Sequence, residues 1–320
     1  MKKKFLLLLF STTMVLGACS NATVTEETTP VAYSSLTDEE LEKKVSKNDV
    51  DAILEKANRL YAEAEEKGEG YEKAVEYFKK AAESGNDIAQ YHLGFAYMQG
   101  VGVDTNMEEA CQWLSLSAEQ GNTDAEFCVG YMLELGIGTG EEANYNKAFE
   151  FYKRAAEKDH PTALCFLGDF YYYGIGCEED IEKAVQYYTA SAEKESPLGQ
   201  YCLGYLYEMG NGVEQDINKA IELYTASADA GYGAGQSNLA YLYLTGKGVE
   251  QDYSKAFELY SKSAEQATPA AFYGLGYLYQ YGCGVTADKE QALEYYTLAD
   301  NFGYEPAKEA IESLQNEQEE

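Results

Sequence analysis

Gly-x-Gly pairs open at Gly100, Gly136, Gly174, Gly210, Gly246 and Gly282, so the chain repeats itself in steps of 36, 38, 36, 36 and 36 residues. The surrounding text recurs with them: LGFAYMQGVGVDTNMEEA over 93–110 returns as LGYLYEMGNGVEQDINKA over 203–220 and LGYLYQYGCGVTADKEQA over 275–292. A period of this length, with apolar residues at helical spacing on both sides of a Gly-rich turn, marks one helical hairpin per unit. A single hairpin cannot bury its apolar face alone, so the expected fold is an all-α solenoid of stacked hairpins whose surface carries the function.

One unit shows how the residues build the hairpin. Ala163, Leu167, Tyr171 and Gly174 follow helical spacing, and Ala184, Tyr187, Tyr188 and Ser191 form a second apolar stripe. Glycine inside a helix costs up to ~1 kcal/mol relative to Ala, so its return at Gly94, Gly130, Gly168, Gly204 and Gly276 predicts close approach of a neighbouring helix. Ala240 stands in the remaining unit. The first Gly of each pair suits the left-handed end of the first helix, and Asn106, Asn144, Asp180, Asp216, Asp252 and Asp288 stand where the second helix needs an N-cap. The longer step is absorbed in the turn TGEEANYN.

These motifs resemble the Sel1-like repeat, a relative of the tetratricopeptide repeat. Unit 199–235 carries Leu203-Gly204, Tyr207, Gly210, Gly212, Val213, Asp216, Lys219-Ala220 and Ala228-Asp229, with Gly199 in place of the leading Ala. The resemblance implies a right-handed superhelical α-solenoid with seven repeats over 49–304, the first degenerate. A capping helix is expected over 37–48, opened by the capping-box spacing Thr37-Asp38-Glu39-Glu40, and a second over 305–320 with an acidic tail.

Lys2, Lys3 and Lys4 precede the apolar run FLLLLF…MVLGA, which reads as an export signal over 1–18. Its end, Leu16-Gly17-Ala18-Cys19, resembles the bacterial lipobox, which implies that Cys19 is acylated and becomes the first residue of the mature protein. The expected location is exported, at the cell membrane or outer membrane, facing periplasm or exterior. Residues 19–36, rich in Ser, Thr and acid, are expected to form a flexible tether.

The chain has 24 Lys+Arg against 55 Asp+Glu, a net charge of −31, and losing three lysines with the signal takes it to −34. Such a chain repels phosphate backbones, so nucleic acid is excluded as a partner. The two histidines, His92 and His160, lie in different units, and HExxH, CxxC and GxSxG are absent. No catalytic residue, metal site or cofactor is therefore assigned. Seven cysteines in an exported chain invite disulfides, but Cys128 and Cys202 share a helical position two units apart, and Cys177 and Cys283 lie in turns three units apart. Unpaired thiols are expected, with Cys111, Cys128, Cys165 and Cys202 acting as small apolar residues.

What remains is a surface rich in tyrosine, with 30 Tyr against one Trp. Tyr97, Tyr171, Tyr207, Tyr243 and Tyr279 recur at the packing position of the family and are expected in the core. By resemblance to tetratricopeptide packing, a concave groove is lined by first-helix residues, with Phe95, Tyr131, Asp169, Tyr172, Tyr205, Tyr241, Tyr277 and Tyr281 as candidate contacts. The function this implies is a noncatalytic, lipid-anchored scaffold of the cell envelope that binds a peptide or protein segment, with basic segments favoured by the surrounding acid. The alternative is an envelope polysaccharide assembly or export factor that stacks a glycan on the same rings. A β-lactamase-like hydrolase, which cysteine-rich members of the family suggest, lacks its cysteine framework and a suitable Ser-x-x-Lys.

Overall fold

The computed structural model describes residues 33–140 and 142–319. The signal segment, Cys19 and residues 19–32 of the expected tether lie outside them. The described residues form sixteen α-helices and one short 3-10 turn, with no strand. None of these helices is long and apolar enough to cross a membrane.

The helices fall into two compact units that meet in sequence at Glu179 and Asp180. The N-terminal unit holds α1 (Asp38–Val45), α2 (Val50–Lys67), α3 (Tyr71–Glu83), α4 (Asp87–Gln99), α5 (Met107–Glu119), α6 (Thr123–Leu135), α7 (Tyr145–Ala156) and α8 (Pro161–Tyr173). The C-terminal unit holds α9 (Ile181–Glu193), α10 (Pro197–Met209), α11 (Ile217–Asp229), α12 (Gly233–Thr245), α13 (Tyr253–Ala264), α14 (Pro269–Tyr281), α15 (Lys289–Asn301) and α16 (Pro306–Glu319). Within each unit every helix packs on the next one in the chain, as stacked hairpins require.

Local chemistry sets the boundaries. Gly100, Gly136, Gly174, Gly210, Gly246 and Gly282 all end a first helix in the left-handed conformation, each N–H donating to the carbonyl four residues back. Asn106, Asn144, Asp180, Asp216, Asp252 and Asp288 cap the second helices through their side chains. The second Gly of each pair has a role of its own. A Cβ on Gly102 would lie 2.7 Å from the Tyr71 carbonyl carbon, and one on Gly284 would lie 2.9 Å from that of Tyr253. Each turn thus seats on the start of the second helix of the preceding hairpin, which only a residue without a side chain permits.

Three of the glycines inside the first helices seat an aromatic ring, and Gly94 seats Leu114. A Cβ would lie 2.9 Å from the Tyr152 ring at Gly130, 3.0 Å from Tyr224 at Gly204 and 2.7 Å from Tyr296 at Gly276. Overpacking of this kind costs about 1–3 kcal/mol. That outweighs the ~1 kcal/mol of helix propensity that Ala would add. In the hairpin where Ala240 takes this place, the Tyr260 ring lodges instead against Gly274 of the following helix.

The deepest tyrosines are therefore those of the second helices, Tyr152, Tyr188, Tyr224, Tyr260 and Tyr296, all buried. Tyr97, Tyr171, Tyr207, Tyr243 and Tyr279, expected in the core, are only half-buried. Two of these rings carry a cation on one face: the Lys219 ammonium lies 4.8 Å from the Tyr207 ring centroid and Lys255 4.9 Å from that of Tyr243.

The ends are closed as follows. Thr37 and Glu40 form a reciprocal capping box on α1, and Leu41 is fully buried. The expected tether is shorter at its C-terminal end, because Tyr33–Ser35 form a 3-10 turn held by Arg59, whose guanidinium donates to the carbonyls of Tyr33, Ser34 and Leu36. At the other end α16 buries Ala307 and Leu314 against α15. Among the described residues the six cysteines form no disulfide, and Cys128, Cys165 and Cys202 are buried.

Candidate functional site

The first helices present one recurring face, built from the positions one, four and five residues after the internal Gly or Ala. On the C-terminal unit this face is open. Tyr205, Tyr241 and Tyr277 occupy the same position on α10, α12 and α14, and all three are exposed, Tyr241 at 48%. Met209 and Tyr281 are more exposed still, Tyr281 at 58%, and the Tyr277 and Tyr281 rings meet at 4.7 Å one turn apart.

On the N-terminal unit the same face is largely closed. Tyr131, expected as a groove contact, is 6% exposed, and its ring meets the edge of Phe166 at 6.3 Å and 83°. Phe166 fills a position that holds His92, Cys128, Cys202, Asn238 and Gly274 in other hairpins; the His92 ring stacks on Phe78, whereas Phe166 meets the preceding first helix at Tyr131. Asp169 is also buried, Phe95 and Tyr172 are half-buried, and Tyr173 is exposed with its ring 4.7 Å from that of Tyr172. Tyr131 and Asp169 are thus corrected from open contacts to covered ones. Tyr205, Tyr241, Tyr277 and Tyr281 stand open on one unit.

Beneath this face runs a polar feature that the sequence reading did not assemble. The phenols of three second-helix tyrosines pass behind the internal Gly to reach the residue four positions after it. Tyr152 O–H donates to Glu134 at 2.7 Å, Tyr224 O–H to Glu208 at 2.8 Å and Tyr296 O–H to Gln280 at 2.8 Å. Glu134 and Glu208 are each 8% exposed, yet their surroundings differ. Lys247, from the turn of the following hairpin, donates to Glu208 at 2.9 Å and neutralises it. Burial pushes the Glu134 carboxyl up from the ordinary 4.5 to about 7, against the opposing pull of the Tyr152 phenol. The signal was present in the sequence as acceptors at 134, 208 and 280, each followed by a Tyr at 152, 224 and 296.

A second buried carboxylate serves structure. Glu126 is 1% exposed and accepts from Arg154 at 2.6 Å and Lys158 at 2.9 Å, both from α7 and the turn after it. In other hairpins the same seam is made by amides, Gln120 donating to Gln90 at 2.8 Å and Gln266 to Gln236 at 3.0 Å. His160 is likewise a cap, its Nδ1 accepting from the Ala163 N–H at 3.0 Å while its ring stacks on Phe127 at 4.9 Å.

The Sel1 repeat family model matches residues 56–86, 87–122, 123–160, 161–196, 197–232, 233–267 and 269–299. Among solved structures, a Sel1 repeat protein from Oxalobacter formigenes is 31% identical, with a TM-score of 0.66 over 77% of this chain and 96% of that one. The protective antigen c5321 of uropathogenic Escherichia coli, which displays an SLR fold, is 30% identical, with a TM-score of 0.59 over 88% of this chain and 67% of that one. No curated protein gave a match. Proteins of Sel1 repeats are in general scaffolds for protein–protein interaction. Seven matched repeats over most of its length make this chain a member of the Sel1 repeat family.

Proposed function

We propose that the protein is a noncatalytic adaptor, exported and held at a membrane of the cell envelope by acyl groups on Cys19, that grips a peptide or protein segment on the open face of its C-terminal unit. The observation that carries this reading is the row Tyr205, Tyr241 and Tyr277, one exposed ring per hairpin at a single repeated position, flanked by Met209 and Tyr281. Exposed large apolar side chains scattered singly need no explanation, but a periodic row of them does. Tyrosine offers wide contact area with few rotatable bonds, so ordering it on binding costs little. Successive helices that carry the row lie beside one another, which suits an extended ligand lying across them.

The test is a triple Tyr→Ser substitution at 205, 241 and 277, with partners captured by crosslinking in intact cells. Capture is expected to disappear while helicity and melting stay within about 0.5 kcal/mol per site of the parent, as for surface changes. Unchanged capture by the folded variant rules the face out. Anchoring is tested separately: a Cys19→Ser protein is expected to take up no lipid label and to leave the membrane fraction on washing, and persistent labelling refutes the anchor.

A glycan is the second reading. On the C-terminal face Glu208 is neutralised by Lys247, and Thr245 and Gln280 are uncharged, so the rings stand among polar but weakly charged groups. Salt separates the two ligands: binding of a basic peptide weakens as salt screens the chain's acid, and binding of a neutral sugar does not.

A further inference from the structure

We propose that Glu134 is a subsite of the N-terminal unit for the ammonium or guanidinium group of a partner's lysine or arginine. It rests on the reading of the first-helix faces as binding faces, and extends that reading to the unit without the open tyrosine row. The repeats supply the comparison. The residue four after the internal Gly or Ala stands in register with the residue between the two glycines of the following turn. In two hairpins this pairing is apolar with apolar, Met98 with Ile137 and Leu244 with Cys283. In a third it is acid with base, Glu208 with Lys247, at 2.9 Å. Glu134 is the mismatch, because its register partner is Ile175, which brings no charge.

The Glu208 pair shows what the position accepts. Glu134 and Glu208 are equally deep at 8% exposed, and each takes one phenolic hydrogen bond from behind. The lysine that reaches Glu208 keeps its own side chain 43% exposed, so an ammonium arrives at that depth from the solvent side of the face. At Glu134 the chain builds the acceptor, and among the described residues no cation pairs with it. A buried carboxylate without a cation is costly, and an incoming charge relieves the cost, so the site selects a cation over a neutral side chain. Tyr152 is the titratable group that touches Glu134. Tyr131 on its own helix and the carboxylate Asp169 and Tyr172 on α8 belong to the same recurring face.

The probe is propylammonium chloride, the tip of a lysine side chain, titrated into the full chain labelled with carboxyl-13C glutamate, with potassium chloride at equal ionic strength as the control. The Glu134 resonance, assigned by its loss in Glu134→Gln, is expected to move saturably toward the ionised position, its titration falling by about one pH unit or more. Ile175→Lys recreates the Glu208 pairing within the chain. It is expected to lower the Glu134 titration by itself and to abolish the response to propylammonium. Should that variant fail to fold, Glu134→Gln replaces it, with the Tyr152 ring resonance as readout, and loss of the response there supports the site. No response in the parent beyond the potassium control overturns the proposal, as does a response that survives Ile175→Lys. The tyrosine triple variant lies on the other unit, so its outcome shows independently whether the adaptor reading stands.

Discussion

Tyr224→Ala is expected to destabilise the C-terminal unit by about 3–5 kcal/mol, the range for truncating a buried aromatic residue. The ring is fully buried, rests on the face of Gly204, and sits in a cluster with Ala220, Leu239 and Leu242. Its hydroxyl also donates to Glu208, so the truncation strips a buried carboxylate of one of its two partners. Tyr207→Ala, seventeen residues earlier on the other helix, removes a half-buried ring and is expected to cost about 1–2 kcal/mol. Urea unfolding of the two variants measures the difference, and hydrogen exchange shows where it falls: in a repeat protein the damage spreads first to the adjoining hairpins, α9–α13. A larger loss at Tyr207 than at Tyr224 contradicts the packing described above.

The contrast between these two residues shows what the sequence could and could not reveal. Everything decided within a few residues was legible: the left-handed Gly at each first-helix end, the Asn or Asp that caps each second helix, and the Thr37–Glu40 capping box. Depth was not. Both Tyr207 and Tyr224 lie on apolar stripes, and only the juxtaposition of Gly204 with the Tyr224 ring makes the second the deeper. The same holds on the candidate face. Tyr131 and Tyr205 are equivalent by spacing, yet Tyr131 is covered because Phe166 sits on the following first helix, a partner thirty-five residues away. Residues 33–36 read as tether from composition, but a guanidinium more than twenty residues downstream gathers their carbonyls. Each miss is a contact between hairpins, where a repeat's average gives no guidance and the individual residue decides.

The same logic gives Glu134→Gln an outcome opposite to the usual effect of changing a buried residue: a gain in stability that appears only as the pH rises. In the folded chain the Glu134 carboxyl titrates at about 7 rather than the ordinary 4.5, because burial disfavours its charged form. Below the lower value the group is protonated in both folded and unfolded states and contributes no pH dependence. Between the two values the folded state holds the proton that the unfolded state has lost, so stability falls as the pH rises through that window. Above about 7 the penalty is constant, on the order of 3 kcal/mol from a shift of this size. Glutamine removes the charge and keeps the acceptor. Tyr296 already donates to the amide oxygen of Gln280 at 2.8 Å in the equivalent place, so the Tyr152 bond has a ready substitute. Parent and variant are therefore expected to match in urea unfolding near pH 4 and to diverge up to pH 8, where the variant is the more stable by about 3 kcal/mol. Taking the difference between the two chains cancels the titration of the other carboxylates. Equal stabilities at pH 8 exclude an uncompensated carboxylate at this position. Ile175→Lys should narrow the same gap from the other side, by giving Glu134 the cation that Lys247 gives Glu208.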